Sequence, residues 1–278
     1  MNSQAPTPNS NSQSPTPKAQ SPMTRTLKLT LAYDGTSYVG WQRQAEGVSI
    51  QGLLEEALAR FEGGPVAVHG AGRTDAGVHA LGQVASAQIA CRHDAATLQR
   101  GLNAGLPADV RVTGVEDAPP GFHARFSARS KAYRYVICQA AFVSPFDRLY
   151  VWHVPDRLDL HAMQAAAAAL VGTHDFAAFR SAGSEVKETT RTITRSAIRQ
   201  LPTPNSHPPP TNHYLVYEVS ADGFLRHMVR AIVGTLVEIG RGRRAAASIP
   251  ALLAGGRRAD AGATAPPQGL FLMGVDYD

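Results

Sequence analysis

Two hydrophobic periods alternate along this sequence, and they constrain the fold more than any other feature. Between positions 27 and 33 an apolar residue recurs at every second position, as in a strand that buries one face. Ser49 then precedes apolar residues spaced three and four apart, which predicts a helix that stops at Gly63. Strand-like and helix-like segments of this kind follow one another to the end of the chain. This order predicts a mixed α+β protein.

The predicted elements form two series of similar order. The first has strands over 27–33, 66–69, 82–90 and 110–115, with helices capped by Ser49 and Asp94. The second has strands over 133–138, 192–201, 214–219 and 270–275, with helices capped by Asp159 and over 224–239 and 249–253. No repeat of sequence relates the two series. We therefore predict two α+β halves, 23–125 and 126–278.

Two proline-rich segments lie outside this pattern. Residues 1–22 hold five Pro and no large apolar side chain beyond the first Met, so we expect a disordered tail. Residues 202–212 hold five more Pro between two predicted strands, which predicts an exposed loop.

Composition limits the class of protein. The chain has 278 residues and a net charge of +5, from 27 Lys and Arg against 22 Asp and Glu. No apolar run approaches the roughly 18 residues of a membrane span, and the first residues lack the parts of a secretory signal, so we expect a cytoplasmic protein. Cys91 and Cys138 form neither a disulfide framework nor a zinc motif, so we expect reduced thiols and no metal. The weak positive charge leaves RNA as one candidate partner among several.

The first candidate for chemistry is GAGRTDAGVHA, residues 70–80. Its small residues favour a tight loop at the end of a predicted strand, with Asp75 at the tip. Asp75 stands where a dinucleotide-binding fingerprint has its last glycine, and no GK[ST] follows, so neither nucleotide-binding motif fits. From the residues alone, Asp75 is either a turn-capping side chain or a catalytic carboxylate.

The second candidate is DGFLRHMVRAIVG, residues 222–234. On the predicted helix, Phe224, Met228 and Ile232 share an apolar face, while Arg226 and Arg230 share another face one turn apart. Two like charges at this spacing are unfavourable unless an anion lies near them, such as a phosphate or a buried carboxylate. A solvated basic face is the alternative.

The third candidate is FHARFSARSKAYRY, residues 122–135. It mixes cations with aromatic rings, as RNA-binding surfaces do when cations bind phosphates and rings stack on unpaired bases. Strand alternation places Tyr133 and Tyr135 on one face with Lys131, and Arg134 on the opposite face. Ordinary cross-strand aromatic packing would produce the same pattern.

Together, five segments resemble the tRNA pseudouridine synthase A family, the TruA-type enzymes. They are GAGRTDAGVHALGQVA (70–85), FSARSKAYRY (126–135), GTHDFAAF (172–179), FLRHMVRAIVG (224–234) and TAPPQGLFLMGVDY (264–277). They occur in the family's order, and the resemblance covers the chain from Thr26 onward. One departure is Ala231, where the family often has Asn, which puts a secondary polar contact in doubt.

The resemblance implies roles for particular residues. Asp75 would be the nucleophile, Tyr133 would stack on the target uracil, and Arg230 would pair with Asp75. Basic residues near the motifs would hold the phosphates that flank a nucleotide flipped out of its stem. These are Arg73, Arg129, Lys131 and Arg226.

The resemblance also implies a reaction and its partners. Uridine becomes pseudouridine when the N1–C1′ bond breaks, the base turns and C5 bonds to C1′. Nothing is oxidised or hydrolysed, so no cofactor is needed. Asp75 attacks C1′ or the base, or helps to labilise a ribose proton, and these alternatives stay open. The implied substrate is the anticodon stem-loop of tRNA at uridines 38–40, and the implied working unit is a homodimer.

The fold implied is the pseudouridine synthase fold, in which two ferredoxin-like or RRM-like halves join their antiparallel sheets around a central catalytic cleft. The main alternative is a non-catalytic, RRM-like RNA-binding protein, but the RNP1 pattern with its run of aromatic residues does not occur in the sequence. A glycoside or nucleoside hydrolase usually needs a second carboxylate, and the motif around Asp75 carries none.

Overall fold

The computed structural model describes Met1 and residues 24–181, 187–201 and 214–278. The predicted disordered tail, apart from Met1, and the predicted loop over 202–212 lie outside the described residues.

The described residues form strands and helices in the mixed order that the sequence predicts. The strands are β1 (Arg25–Tyr33), β2 (Val68–Gly70), β3 (His79–Ile89), β4 (Val110–Asp117), β5 (Ser130–Cys138), β6 (Trp152–His153), β7 (Gly172–Asp175), β8 (Thr190–Gln200), β9 (Tyr214–Ala221) and β10 (Leu270–Asp276). The α-helices are α1 (Ile50–Glu62), α2 (Ala95–Gly105), α3 (Leu160–Ala168), α4 (Met228–Gly240) and α5 (Ile249–Leu253). Strands β6 and β7 were not predicted, because two and four residues are too few to show a hydrophobic period.

Local capping interactions explain where three helices begin. The side chains of Ser49, Asp94 and Asp159 each accept a hydrogen bond from a backbone N–H in the first turn of α1, α2 and α3. Helix α1 ends at Gly63, whose φ of +76° is a conformation that glycine adopts without steric cost. These three starts and the end of α1 match the sequence prediction.

All ten strands belong to one sheet, with the main order β4-β1-β3-β10-β5-β9-β8-β7 and with β2 beside β3 and β6 beside β5. The pairs β10–β3 and β5–β6 are parallel, and the other pairs are antiparallel. The α+β class and a large, mostly antiparallel sheet are therefore observed. Strand β10 comes from the end of the chain, yet it lies between β3 and β5 and joins the strands of the first series to those of the second.

One continuous apolar core contains residues from both series of strands and helices. It contains Leu29 from β1, Leu54 from α1, Tyr135 from β5 and Ile232 from α4, all of them nearly inaccessible to solvent. A smaller cluster of Ala71, Val84 and Ala124 forms separately, and Phe122 and Tyr277 pack against it.

Helix α4 begins at Met228, four residues later than predicted. His227 precedes it with φ +60°, the only positive φ of a non-glycine residue in the described part of the chain, and the Met228 N–H donates to the Leu225 carbonyl in a turn. The prediction that Arg226 and Arg230 share a helix face is wrong, because Arg226 lies in this turn. Phe224 packs edge-to-face on Tyr133, so tertiary contacts partly bury this apolar residue without a helical turn.

Helix α4 packs directly against the backbone that leads into β10. A Cβ on Gly234 would lie 1.7 Å from the Ala263 carbonyl oxygen, and the Ala265 N–H donates to the Arg230 carbonyl. The absence of a side chain at Gly234 therefore permits the close approach of this segment to the helix.

We expect Gly234→Ala to destabilise the protein by about 1–3 kcal/mol, because overpacking this contact outweighs the better helix propensity of Ala. The urea midpoint of unfolding measures the change. Gly64→Ala is the control, since nothing lies within 4 Å of a Cβ at Gly64. An unchanged midpoint for Gly234→Ala would show that the segment after 260 can move away at no cost.

Candidate active site

A buried polar cluster holds the loop between β2 and β3. The Tyr33 hydroxyl and Thr74 Oγ1 share a hydrogen bond of 2.8 Å, and Gln83 Nε2 donates to the Gly72 carbonyl at 2.9 Å. Burial raises the pKa of Tyr33 to about 12, so its hydroxyl remains protonated in neutral solution. Because buried polar groups need their partners, these contacts fix the loop that carries Asp75.

A second segment supports the same loop from the other side. The Trp41 N–H donates to the Thr74 carbonyl at 3.0 Å, and Gly40 and Asp75 form an isolated β-bridge. Gly40 has φ +106°, and a Cβ there would lie 2.5 Å from the Thr74 carbonyl oxygen. Only glycine therefore fits at position 40 with the loop in this place.

Asp75 and Arg230 form an ion pair between residues 155 positions apart in the sequence. Arg230 Nη1 donates to Asp75 Oδ2 at 3.0 Å, and Arg230 Nε donates to the Ala265 carbonyl at 2.7 Å. The side chains are 14% exposed for Arg230 and 32% for Asp75. The Ala265 carbonyl thus orients the guanidinium, which forms a charge-assisted hydrogen bond to the carboxylate. This contact is partly shielded from solvent.

His227 faces the other oxygen of the same carboxylate. Its Nε2 lies 3.4 Å from Asp75 Oδ1, and its Nδ1 shares a hydrogen bond of 2.8 Å with Ser181 Oγ. Burial lowers the pKa of His227, the cations Arg230 and Arg226 lower it further, and Asp75 opposes this shift. The ring is therefore mainly neutral at neutral pH.

Tyr133 on β5 lies beside this group. The residue is 8% exposed, and its ring packs against that of Phe224 at a centroid distance of 5.0 Å. Burial raises the pKa of Tyr133 above its usual range, and the nearby Tyr33 and Asp75 add to the shift. The side chain is thus a neutral phenol close to the Asp75 charge. Lys131 and Tyr135 point to the same strand face, as the alternation predicts.

The four basic residues predicted as RNA contacts fall in different surroundings. Arg73, Arg129 and Arg226 are exposed, in the Asp75 loop, before β5 and before α4 respectively. Lys131 is half-buried next to Gly72, and burial, together with Arg125 and Arg191, lowers its pKa. The loop, β5 and the turn before α4 therefore bring all three sequence motifs to one region.

Sequence reasoning missed two parts of the site. The segment at Gly40 carries no catalytic residue type, and its role follows only from backbone contacts with Thr74. His227 lies within the motif that supplies Arg230, but its orientation depends on a left-handed backbone angle that no period reveals. A histidine three residues before the paired arginine was the available signal.

The arrangement presents a carboxylate with one nitrogen-bearing side chain facing each oxygen, beside a neutral phenol. Such a carboxylate can act as a nucleophile or as a base. Within residues 24–181, 187–201 and 214–278, no group of three or more His, Cys, Asp or Glu could hold a metal ion. The helices of these segments also include none that is long and apolar enough to cross a membrane.

The sequence is similar to a family of known proteins over most of its length. A family model described as tRNA pseudouridine synthase matches residues 30–127 and 166–278. The chain is 44% identical over 253 residues to tRNA pseudouridine synthase A of Geotalea uraniireducens, covering 91% of this chain and 100% of that protein. It is 46% identical to the protein of that name from Syntrophotalea carbinolica, covering 90% and 96%, and 45% identical to that from Moorella thermoacetica, covering 90% and 99%.

We expect Gly40→Ala to displace the loop that carries Asp75, because the new Cβ would collide with the Thr74 carbonyl. Amide hydrogen exchange over residues 71–78 should become faster. Gly63→Ala is the matched control, since Gly63 also has a positive φ but has nothing within 4 Å of a Cβ. Exchange over residues 71–78 that stays as slow in Gly40→Ala as in Gly63→Ala would show that the contact at Gly40 does not hold the loop.

Proposed function

The chain belongs to the tRNA pseudouridine synthase family, and on this premise we propose that it isomerises uridine to pseudouridine in tRNA with Asp75 as the nucleophile. The observation that carries the proposal is the carboxylate of Asp75, held at one oxygen by Arg230 and faced at the other by His227. A turn-capping aspartate would instead be expected to bond to the backbone of its own loop.

The reaction exchanges one glycosidic bond for another. The N1–C1′ bond breaks, the base turns, and a C5–C1′ bond forms, while C5 loses a proton and N1 gains one. The isomerisation needs neither oxidant nor water. The protein must therefore supply a charged carboxylate near the ribose and keep the detached base in place. Arg230 favours the charged form of Asp75 and aims it.

Tyr133 is proposed to hold the uracil ring by stacking. A neutral phenol suits this role, because its ring offers a flat apolar face without adding charge beside Asp75. Tyr133 is only 8% exposed, and Phe224 packs against its ring. Stacking therefore requires Phe224 or the Asp75 loop to shift when the nucleotide enters, and we expect the closed arrangement described here to open on substrate binding.

The surrounding cations are proposed to hold the RNA backbone. Arg73, Arg129 and Arg226 are exposed around Asp75, and Lys131 lies beneath the loop. A uridine in a helical stem must leave its stack to reach a recessed carboxylate, so contacts to the flanking phosphates would secure the distorted strand. We propose the anticodon stem-loop at positions 38–40 as the target, as the family resemblance implies.

Three wider features belong to the same proposal. We propose two ferredoxin-like halves, 23–125 and 126–278, whose sheets join around the site, and the position of β10 between β3 and β5 supports this division. We also propose a homodimer that binds tRNA with both subunits, on the strength of the family resemblance. A tRNA substrate supports the expectation that the protein works in the cytoplasm.

Incubation with unmodified tRNA, followed by carbodiimide treatment and primer extension, tests the function. We expect stops at positions 38–40 for the unaltered protein and none for Asp75→Asn, because an amide cannot act as the nucleophile. The dissociation constant for tRNA should change by less than about threefold, since Asn keeps the shape of the side chain. Turnover by Asp75→Asn near the original level would refute the role of Asp75, and stops only outside the anticodon arm would refute the target.

A further inference from the structure

Three aromatic rings form a column on the surface beside the Asp75 loop. The rings of His69 and His123 are stacked with centroids 4.9 Å apart and an interplanar angle of 28°. The ring of Phe126 lies 4.4 Å from that of His123 and is tilted by 37°. Phe126 ends the column and is 77% exposed. We call His69, His123 and Phe126 the ring column.

The ring column is held in place by backbone hydrogen bonds. The Ala124 N–H donates to Ser86 Oγ at 3.0 Å, and Ala124 is fully buried against β3. The turn around it closes twice, because the His123 N–H donates to Ser127 Oγ and the Ser127 N–H donates to the His123 carbonyl. Phe126 is thus exposed on a fixed turn that does not let it fold back into the core.

The electrostatic surroundings of the ring column suit an anionic partner with flat faces. His123 Nδ1 accepts a hydrogen bond from the Arg125 N–H, and burial, with His69 and Arg125, lowers the pKa of His123, so the inner ring is neutral. The Arg125 guanidinium lies over the ring of Phe126, 5.6 Å from its centroid. Exposed rings together with neighbouring cations bind single-stranded nucleic acid by base stacking and phosphate contact.

The ring column shares its support with the candidate active site. His69 is the residue before Gly70, at which the Asp75 loop begins, and it pairs with Ser86 of β3. On β5, Cε of Lys131 lies 3.7 Å from the position of a Cβ on Gly72. An RNA strand that reaches Asp75 therefore has the ring column at the root of the same loop.

We propose that Phe126 is a stacking platform for an unpaired base of the RNA substrate, with Arg125 binding an adjacent phosphate. This inference rests on the proposed function and specifies how its substrate is held. The surroundings of Phe126 favour RNA over an apolar protein partner, because the exposed, cationic Arg125 lies over the ring. Base–aromatic stacking tolerates any base, so the platform adds affinity more than sequence preference.

Binding of an unmodified tRNA transcript to Phe126 variants tests the platform. Phe126→Leu keeps an apolar side chain but has no π face. We expect it to weaken tRNA binding about fivefold or more, because the loss of one stacked base costs about 1–3 kcal/mol. Phe126→Trp should bind at least as tightly as the unaltered protein. Phe142→Leu is the matched control, because Phe142 is equally exposed at 79% and lies in a different loop.

The salt dependence of tRNA binding distinguishes the phosphate contact of Arg125 from base stacking on Phe126. Arg125→Gln should reduce the slope of log affinity against log salt by about one phosphate contact, whereas Phe126→Leu should leave the slope unchanged. A tRNA affinity of Phe126→Leu within twofold of that of the unaltered protein would overturn the platform. A change of oligomeric state in Phe126→Leu, measured by light scattering, with no loss of tRNA affinity would also overturn it.

The failure of this inference can be told from the failure of the proposed function. If the unaltered protein forms pseudouridine while Phe126→Leu binds tRNA normally, only the inference about Phe126 fails. If the unaltered protein neither binds nor modifies tRNA, the proposed function fails with it.

Discussion

The ion pair between Asp75 and Arg230 is the contact on which the arrangement of the site depends. It joins the loop after β2 to the first turn of α4, and each partner is held by backbone of other segments. Leaving either charge unpaired in a partly buried position would be costly. The pair thereby holds the Asp75 loop against α4, and the sheet brings these two segments together because β10 pairs with both β3 and β5.

The same constraint explains why chemistry is concentrated at one carboxylate. Arg230 and His227 face the two oxygens of Asp75, while burial keeps the nearby phenols of Tyr33 and Tyr133 neutral, with the pKa of both raised. The carboxylate of Asp75 is thus paired with one cation, Arg230, and lies beside phenols that carry no charge. A carboxylate in this setting is suited to the isomerisation proposed here, because no water or second acid is required. Exposed cations lie on the loop and the turn that carry the site, and the ring column begins at His69, next to the start of the same loop.

The parts of the fold that depend on local chemistry could be predicted from the sequence. Ser49, Asp94 and Asp159 each cap a helix through a hydrogen bond within three residues, so the sequence is sufficient to place those starts. The beginning of α4 could not be placed, because His227 adopts a left-handed angle stabilised by distant Ser181. The approach of Gly40 to Asp75 also escaped prediction, since long-range backbone contacts leave no periodic signal.

The central claim is that Asp75 and Arg230 are energetically coupled. A double-mutant cycle with Asp75→Asn and Arg230→Gln, followed by urea unfolding, measures that coupling directly. We predict a favourable coupling of about 1 kcal/mol or more, within the range of about 0.5–3 kcal/mol found for residues in direct contact. Single-variant effects that add within about 0.3 kcal/mol would contradict the account, because the pair would then contribute nothing beyond its separate side chains.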